Sequence, residues 1–203
     1  MTGITKLASV GAVLFLIVGA YAVNTTLMKN SNVLDNKNIT KDGPSSTADT
    51  LSDQQYMSYR QQQAARIRPA IGRVRTAVAE KELSDLAVVM LKTRDTEAVS
   101  RFEVPAGVPV DDVLALYILK SDLAQYATLS KEVDTAEGST LAKTFLELMK
   151  VQNLIDVQMA YQYKEDNPNG PLIRDATALI ESRYDENTLI LETGMRLGYM
   201  SSH

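Results

Sequence analysis

Cysteine, tryptophan and histidine are almost missing from this chain of 203 residues, which has no Cys, no Trp and a single His, His203. The absence of cysteine excludes disulfides, thiolate metal sites and cysteine nucleophiles, and it is compatible with an oxidising compartment. One histidine cannot supply a Ser-His-Asp triad or a histidine metal site within a single chain. With only three Phe, the core must be built mainly from aliphatic residues, Met and Tyr.

Glycine-rich phosphate loops are missing as well. Residues 105–109 combine one glycine with two prolines, which does not match a phosphate-binding loop. No other cofactor motif is recognisable, so we expect the protein to work without a cofactor.

The most informative segment that is present is an uncharged apolar run over residues 7–23. As a helix it would be about 26 Å long, slightly less than the ~30 Å hydrocarbon core of a bilayer. The run predicts a transmembrane anchor or a signal peptide, since Ala20 and Ala22 also fit a cleavage site that would leave Val23 as the new N terminus. A buried core helix is the third interpretation. We expect the rest of the chain to lie outside the cytoplasm, in the periplasm or its equivalent, either tethered or cleaved and secreted.

Two further segments follow the apolar run. Residues 24–50 are rich in Asn, Ser, Thr, Lys and Asp and contain no aromatic residue, which predicts a flexible polar linker. Residues 51–203 form the predicted folded domain. Charge is distributed unevenly: residues 1–81 carry ten Lys and Arg against five Asp and Glu, whereas residues 82–203 carry eleven against twenty.

Helical patterns dominate the domain from its first residues. Ser52 and Gln55 fit a capping box that opens the first helix, and Pro69 either starts a second helix or kinks one long helix. Pro109 at a first helical position predicts another helix from Val110 to about residue 131.

The second half of the domain continues this pattern. Apolar residues at helical spacing predict a long helix over 141–164, and Pro171 opens another helix. A separate short helix over 188–197 should end before Gly198. The fold class is therefore mainly α, a helical-bundle-like domain of about five helices.

Residues 86–104 leave two interpretations open. Both halves are rich in β-branched residues, so residues 86–91 and 99–104 could pair as a small hairpin that turns at 94–97. A helix is the other interpretation, and it is the one we favour.

A basic stripe marks the first part of the domain, because no acidic residue lies between Asp53 and Glu80. Arginine suits forked contacts with carboxylates or phosphates, which predicts binding to an acidic protein surface, self-association or an anionic lipid. Two alternatives remain, an intramolecular match with the acidic remainder and a plain solvated helix face without a partner. Export and the lack of interleaved aromatics disfavour nucleic acid. The stripe consists of Arg60, Arg66, Arg68, Arg73, Arg75 and Lys81.

A weak calcium-loop candidate lies at residues 165–176. Glu165, Asn167 and Asn169 alternate before a glycine, which resembles the first ligand positions of an EF-hand. The pattern departs from an EF-hand where Ala176 replaces the bidentate glutamate. We therefore expect a turn between two helices and no metal site.

Glu181 is the one candidate catalytic acid. Glu181-Ser182 followed by a Gly-containing segment from Gly194 to Gly198 resembles the signatures of lysozyme-like lytic transglycosylases, and this resemblance implies that Glu181 is a general acid. The terminal glutamine of the family signature is absent, and only 22 residues follow Glu181. We expect Glu181 to be exposed, on the side of its helix away from Ile180 and beside Arg183.

These features predict a membrane-tethered or exported, non-catalytic helical protein. We expect it to be a structural or interaction component of an envelope or virion-membrane assembly, with protein partners or self-association. One alternative is a peptidoglycan-acting enzyme that uses Glu181, and another is a helical sensor-like ligand-binding domain.

Overall fold

The computed structural model of the protein describes residues 50–98 and 109–200. Within these ranges there is no strand, which confirms the mainly α, bundle-like class, with one helix more than the five expected. The helices are α1 Asp53–Ala77, α2 Lys81–Ala98, α3 Val110–Tyr117, α4 Lys120–Thr135, α5 Gly138–Asp166 and α6 Ile173–Arg196.

The predicted anchor or signal over 1–23 and the linker up to residue 49 lie outside the described residues. Among the residues that are described, none of the helices combines the length and the apolar character needed to cross a membrane.

Helix α1 begins with the predicted capping box. The backbone N–H of Gln55 donates to Ser52 Oγ, and the backbone N–H of Ser52 donates to Gln55 Oε1 at 2.8 Å. Two backbone N–H groups that would otherwise be unpaired at the start of the helix are thus satisfied. Pro69 lies inside α1, so the chain forms one long helix here and not two.

The single helix predicted over 110–131 is in fact two helices. Ile118 is extended (φ −111°, ψ 140°) and Leu119 caps α4, which separates α3 from α4. A β-branched residue favours extended backbone, and this conformation buries the Ile118 side chain. The interruption lets α3 and α4 place their apolar sides on the core independently.

Helices α5 and α6 also differ from the boundaries predicted for them. Helix α5 starts before the expected residue 141, at Gly138, whose φ of 54° suits glycine. Helix α6 runs through residue 188 without a break, so the separate short helix expected over 188–197 was wrong. Residues on the buried side of α6 continue at helical spacing to Gly194, which keeps the helix intact.

The hairpin interpretation of residues 86–104 is wrong for its first half, which lies within α2. Leu83, Leu86, Ala87 and Met90 are all buried, and their spacing of three and four residues puts them on one helical face. Residues 99–104 lie outside the described residues.

The core consists of two clusters of buried apolar side chains. Helices α1, α5 and α6 contribute to both, whereas α3 contributes only to the first and α2 only to the second. α5 supplies residues from 151 onward to the first cluster and residues up to 149 to the second. The first cluster includes Leu51, Tyr56, Tyr59, Val113, Leu114, Ile155, Met159, Tyr163, Leu179 and Ile180. The second includes Ile67, Ile71, Val74, Leu83, Leu86, Met90, Phe145, Leu148, Met149 and Ile190.

The start of the domain is fastened to the turn after α5. The Leu51 amide donates to Asp166 Oδ2 at 2.7 Å, and Asn167 Nδ2 donates to the Leu51 carbonyl at 2.7 Å. The Tyr163 hydroxyl donates to Asp53 at 2.5 Å, and burial together with this carboxylate raises the pKa of Tyr163 to about 12. These contacts hold residues 51–53 against the C-terminal end of α5.

Candidate functional site

A layer of buried polar side chains separates the two apolar clusters. Its charged members come from α2, α5 and α6: Arg94 and Arg183 are each 1 % exposed, Asp156 is 3 % exposed and Glu186 is 6 % exposed. Charged residues are rarely buried to this extent unless they are paired. This buried ion network is the most unusual chemical feature of the described structure.

Arg94 and Glu186 form a forked ion pair between α2 and α6. Arg94 Nη1 donates to Glu186 Oε2 at 3.0 Å, and Arg94 Nη2 donates to Oε1 at 2.9 Å. Arg94 Nη2 also lies 3.3 Å from Asn153 Oδ1 on α5, and Asn153 in turn donates to Asn187 at 2.9 Å. One arginine therefore connects three helices.

Asp156 and Arg183 form the second pair, between α5 and α6. Arg183 Nε donates to Asp156 Oδ2, while Oδ1 accepts from the Tyr59 hydroxyl and, at 2.7 Å, from Gln152 Nε2. Gln63 Nε2 donates to Gln152 Oε1, so α1 contacts the network through both Tyr59 and Gln63. Arg183 Nη1 also lies 3.7 Å from Glu186 Oε2, so the two ion pairs are joined.

The electrostatics of the network are balanced, because it contains two guanidinium groups and two carboxylates. Burial alone would raise the pKa of Asp156, but the positive charges of Arg183 and Arg94 and the bonds from Tyr59 and Arg183 keep that pKa below its usual value. Burial, and then the charge of Asp156, raise the pKa of Tyr59 well above its ordinary value. Asp156 is therefore ionised and Tyr59 protonated at neutral pH.

This arrangement fastens helices together, and both of its carboxylates are already paired. Each carboxylate accepts from a guanidinium, so neither is placed to transfer a proton to a bound molecule. No cavity large enough for a water molecule lies between Gln63, Arg94 and Asp156. The described residues also contain no cluster of three or more acidic or histidine side chains arranged to hold a metal ion.

The sequence signal for this network is a group of polar residues within the apolar pattern of α5. Gln152, Asn153 and Asp156 occupy buried positions of α5 between apolar neighbours, where unpaired polar groups would be costly. Arg183, which follows Glu181 by two residues, was not predicted to be buried, and its guanidinium pairs with Asp156 in the interior.

The first members of the basic stripe pair with carboxylates inside the domain. Arg60 Nε lies 3.1 Å from Asp175, and this pair is largely shielded, with 12 % of the arginine side chain exposed. The other two pairs lie at the surface: Arg66–Asp111 at 2.7 Å and Arg68–Asp95 at 2.7 Å.

The remaining stripe residues have different roles. Arg73 donates to the carbonyls of Val133 and, at 2.8 Å, Ala136, and so caps the C-terminal end of α4. Lys81 lies 2.5 Å from Asp85 on the same helix. Arg75 is exposed, and the described residues offer its guanidinium no ion-pair or hydrogen-bond partner. The six cations thus form no single uniform surface.

Of the calcium-loop candidates, Asn167 and Asn169 lie in the turn between α5 and α6, whereas Glu165 lies in the last turn of α5. Asn167 donates to the carbonyls of Leu51 and Tyr163, while Glu165 and Asn169 are exposed. Gly170 is needed for close packing, since an added Cβ would lie 2.5 Å from the Tyr163 hydroxyl. The described contacts of Asn167 thus hold Leu51 against the C-terminal end of α5.

Glu181 lies on the exposed side of α6, as expected. An open cleft of about 400 Å³ lies nearby between α1, α2 and α6, and Ser182 and Leu179 line part of it. The ion pair of Arg60 with Asp175 forms another wall, so these two charges of the cleft compensate one another.

The chain matches no known family, and neither a curated protein nor a solved structure is significantly similar to it.

We predict that removing one partner of the ion network is far more costly than removing an exposed arginine. Arg183→Met leaves Asp156 buried without its guanidinium and should lower the free energy of unfolding by about 3–5 kcal/mol. Arg174→Met, an exposed position on the same helix, is the matched control and should change it by about 0.5 kcal/mol or less.

The double variant Arg183→Met/Asp156→Leu separates charge pairing from simple side-chain packing. In urea titrations its free energy of unfolding should be about 2 kcal/mol higher than that of Arg183→Met, because no uncompensated charge remains. Additive losses from the two substitutions would contradict the pairing account.

Acid should weaken the domain through Asp156. Because the folded pKa lies below the ordinary value of 3.8, the ionised group stabilises the fold above that value. This stability should be lost as the pH falls from about 4 through the folded pKa, where protonation removes the charge that pairs with Arg183. Urea midpoints measured at several pH values should fall less steeply below about pH 4 in Asp156→Asn than in the natural chain. Parallel profiles would assign the acid sensitivity to other groups.

Proposed function

We propose that the chain is a membrane-tethered or exported, non-catalytic helical protein that serves as an interaction component of an envelope or virion-membrane assembly. The proposed membrane or exported location rests on the apolar run at residues 7–23 and the polar linker after it. Outside the cytoplasm, the domain would present its surface to other components of that assembly.

The observation that carries the non-catalytic part is the closed ion network. The charged side chains that are buried, Arg94, Asp156, Arg183 and Glu186, pair with one another and stabilise the bundle. A general acid has to be held beside its substrate in a cleft, whereas Glu181 is exposed.

The exposed part of the basic stripe supports partner binding. The carboxylates that pair with Arg66 and Arg68 are 74 % and 64 % exposed, and ion pairs of this kind contribute only about 0–1 kcal/mol. A partner can therefore replace these carboxylates at little cost, and Arg75 is available beside them. We propose an acidic protein surface as the ligand, with an anionic lipid as the alternative.

The open cleft is the feature that favours the sensor-like alternative. Its volume of about 400 Å³ falls in the range of small-molecule sites. We rank this function second because Arg60 and Asp175, the charged groups of the cleft, already bind each other.

Affinity capture of the full chain from native membranes tests the proposed partner and the proposed location together. The variant Arg66→Gln/Arg68→Gln/Arg75→Gln should lose bound protein partners, and raised salt should have the same effect on the natural chain. Arg73 is left intact because it caps α4. The matched control replaces three exposed lysines elsewhere: Lys92→Gln/Lys120→Gln/Lys131→Gln.

The outcomes of the capture experiment are distinct. Equal capture by both triple variants would refute the role of the stripe, and binding to anionic vesicles alone would favour the lipid alternative. Intact-mass analysis of the recovered chain distinguishes secretion from membrane anchoring. A species that begins at Val23 is secreted, and an uncleaved one is anchored.

The enzyme alternative has its own test at Glu181. Purified protein incubated with peptidoglycan should release no soluble fragments above a heat-inactivated sample. Release that disappears in Glu181→Gln but persists in Asp185→Asn, an exposed neighbour, would overturn the non-catalytic proposal.

A further inference from the structure

Helix α5 is buried on nearly every side and exposes one narrow stripe. Between residues 141 and 163, every residue outside this stripe except Gln162 is buried. Leu154, at the centre of the stripe, is 38 % exposed, although burying a leucine is favourable. The α5 stripe consists of Lys143, Glu147, Lys150, Leu154, Gln158, Tyr161 and Glu165.

The spacing of the α5 stripe is symmetric about Leu154. Its members lie four, seven and eleven residues from Leu154 in both directions along the helix. A two-fold axis at Leu154 would lay the same stripe of a second copy antiparallel to the first. Each position would then face its mirror position, and Leu154 would face Leu154 of the second copy.

The side chains at mirror positions are chemically complementary. Lys143 would face Glu165 of the second copy, which places opposite charges together twice in one interface. Glu147 would face the Tyr161 hydroxyl of the second copy, a donor for its carboxylate. A parallel arrangement would instead set Lys143 against Lys143 and Glu165 against Glu165, so charge selects the antiparallel one.

The third mirror pair, Lys150 and Gln158, includes a buried polar atom without a hydrogen-bond partner. The carboxamide oxygen of Gln158 is buried and has no hydrogen-bond partner in the described part of the chain. Leaving such an acceptor unpaired is costly, whereas Lys150 of the second copy could donate to it once the flexible Gln158 side chain turns outward. Lys150 lies 3.1 Å from Glu147 in the same helix and keeps further donors for this contact.

We propose that the α5 stripe is a self-association surface, and that its occupant is a second copy of this chain packed antiparallel across Leu154. This surface is separate from the basic stripe on α1 and α2. Self-association therefore does not depend on the proposed membrane location or on an acidic partner.

Cross-linking tests the register directly, because the chain has no natural cysteine. In the full chain, Leu154→Cys should be joined to itself by a short bis-maleimide. Lys143→Cys and Glu165→Cys should not react alone, since their own mirror copies lie about 33 Å away along the helix, but a mixture of the two should cross-link.

The control for chance encounters is Lys92→Cys, an exposed position on α2. Cross-linking of Leu154→Cys no faster than this control would overturn the proposal. Self-linking of Lys143→Cys would overturn the antiparallel register.

A charge exchange measured by sedimentation equilibrium is the second test. Lys143→Glu and Glu165→Lys should each raise the dimer dissociation constant about tenfold, because two attractive pairs become repulsive. The combined variant should return to about the natural value. A monomeric natural chain, or equal behaviour of the single and combined variants, would refute the inferred interface.

Discussion

Pairing of the buried charges is the constraint on which the bundle depends. Arg183 and Arg94 can occupy the interior only while Asp156 and Glu186 face them, since an unpaired buried charge costs several kcal/mol. The pairs reach from α2 to α5 and α6, and Tyr59 and Gln63 add α1. Four helices are therefore held in one register by directional contacts, which apolar packing alone does not specify.

The layered core follows from this constraint. Apolar side chains fill the bundle on both sides of the polar layer, and α5 runs through all three levels. Because α5 is surrounded by α1, α4 and α6, little of its surface remains for solvent. That remaining surface is the stripe centred on Leu154, whose symmetric spacing has no evident role within a single copy.

Local signals in the sequence were sufficient for much of the fold and for little of the site. Ser52 and Gln55 define the start of α1 through contacts three residues apart, and such patterns are readable without tertiary structure. The break at Ile118 and the continuity of α6 depend on which side chains the core accepts, and this is decided by distant residues. The ion network pairs Arg94 with Glu186 across 92 positions, and no local rule relates them. A basic stripe was visible as composition, but its carboxylate partners Asp111 and Asp175 became evident only in the fold.

Native-state hydrogen exchange tests the central role of the network most directly. If the network holds α5 and α6 together, backbone amides near Asp156 and Arg183 should exchange only through global unfolding, with the same free energy as each other. Exchange near Arg183 at a much lower free energy than near Asp156 would show that α6 separates while the rest stays folded. That result would contradict the account of the buried network as the element that organises the bundle.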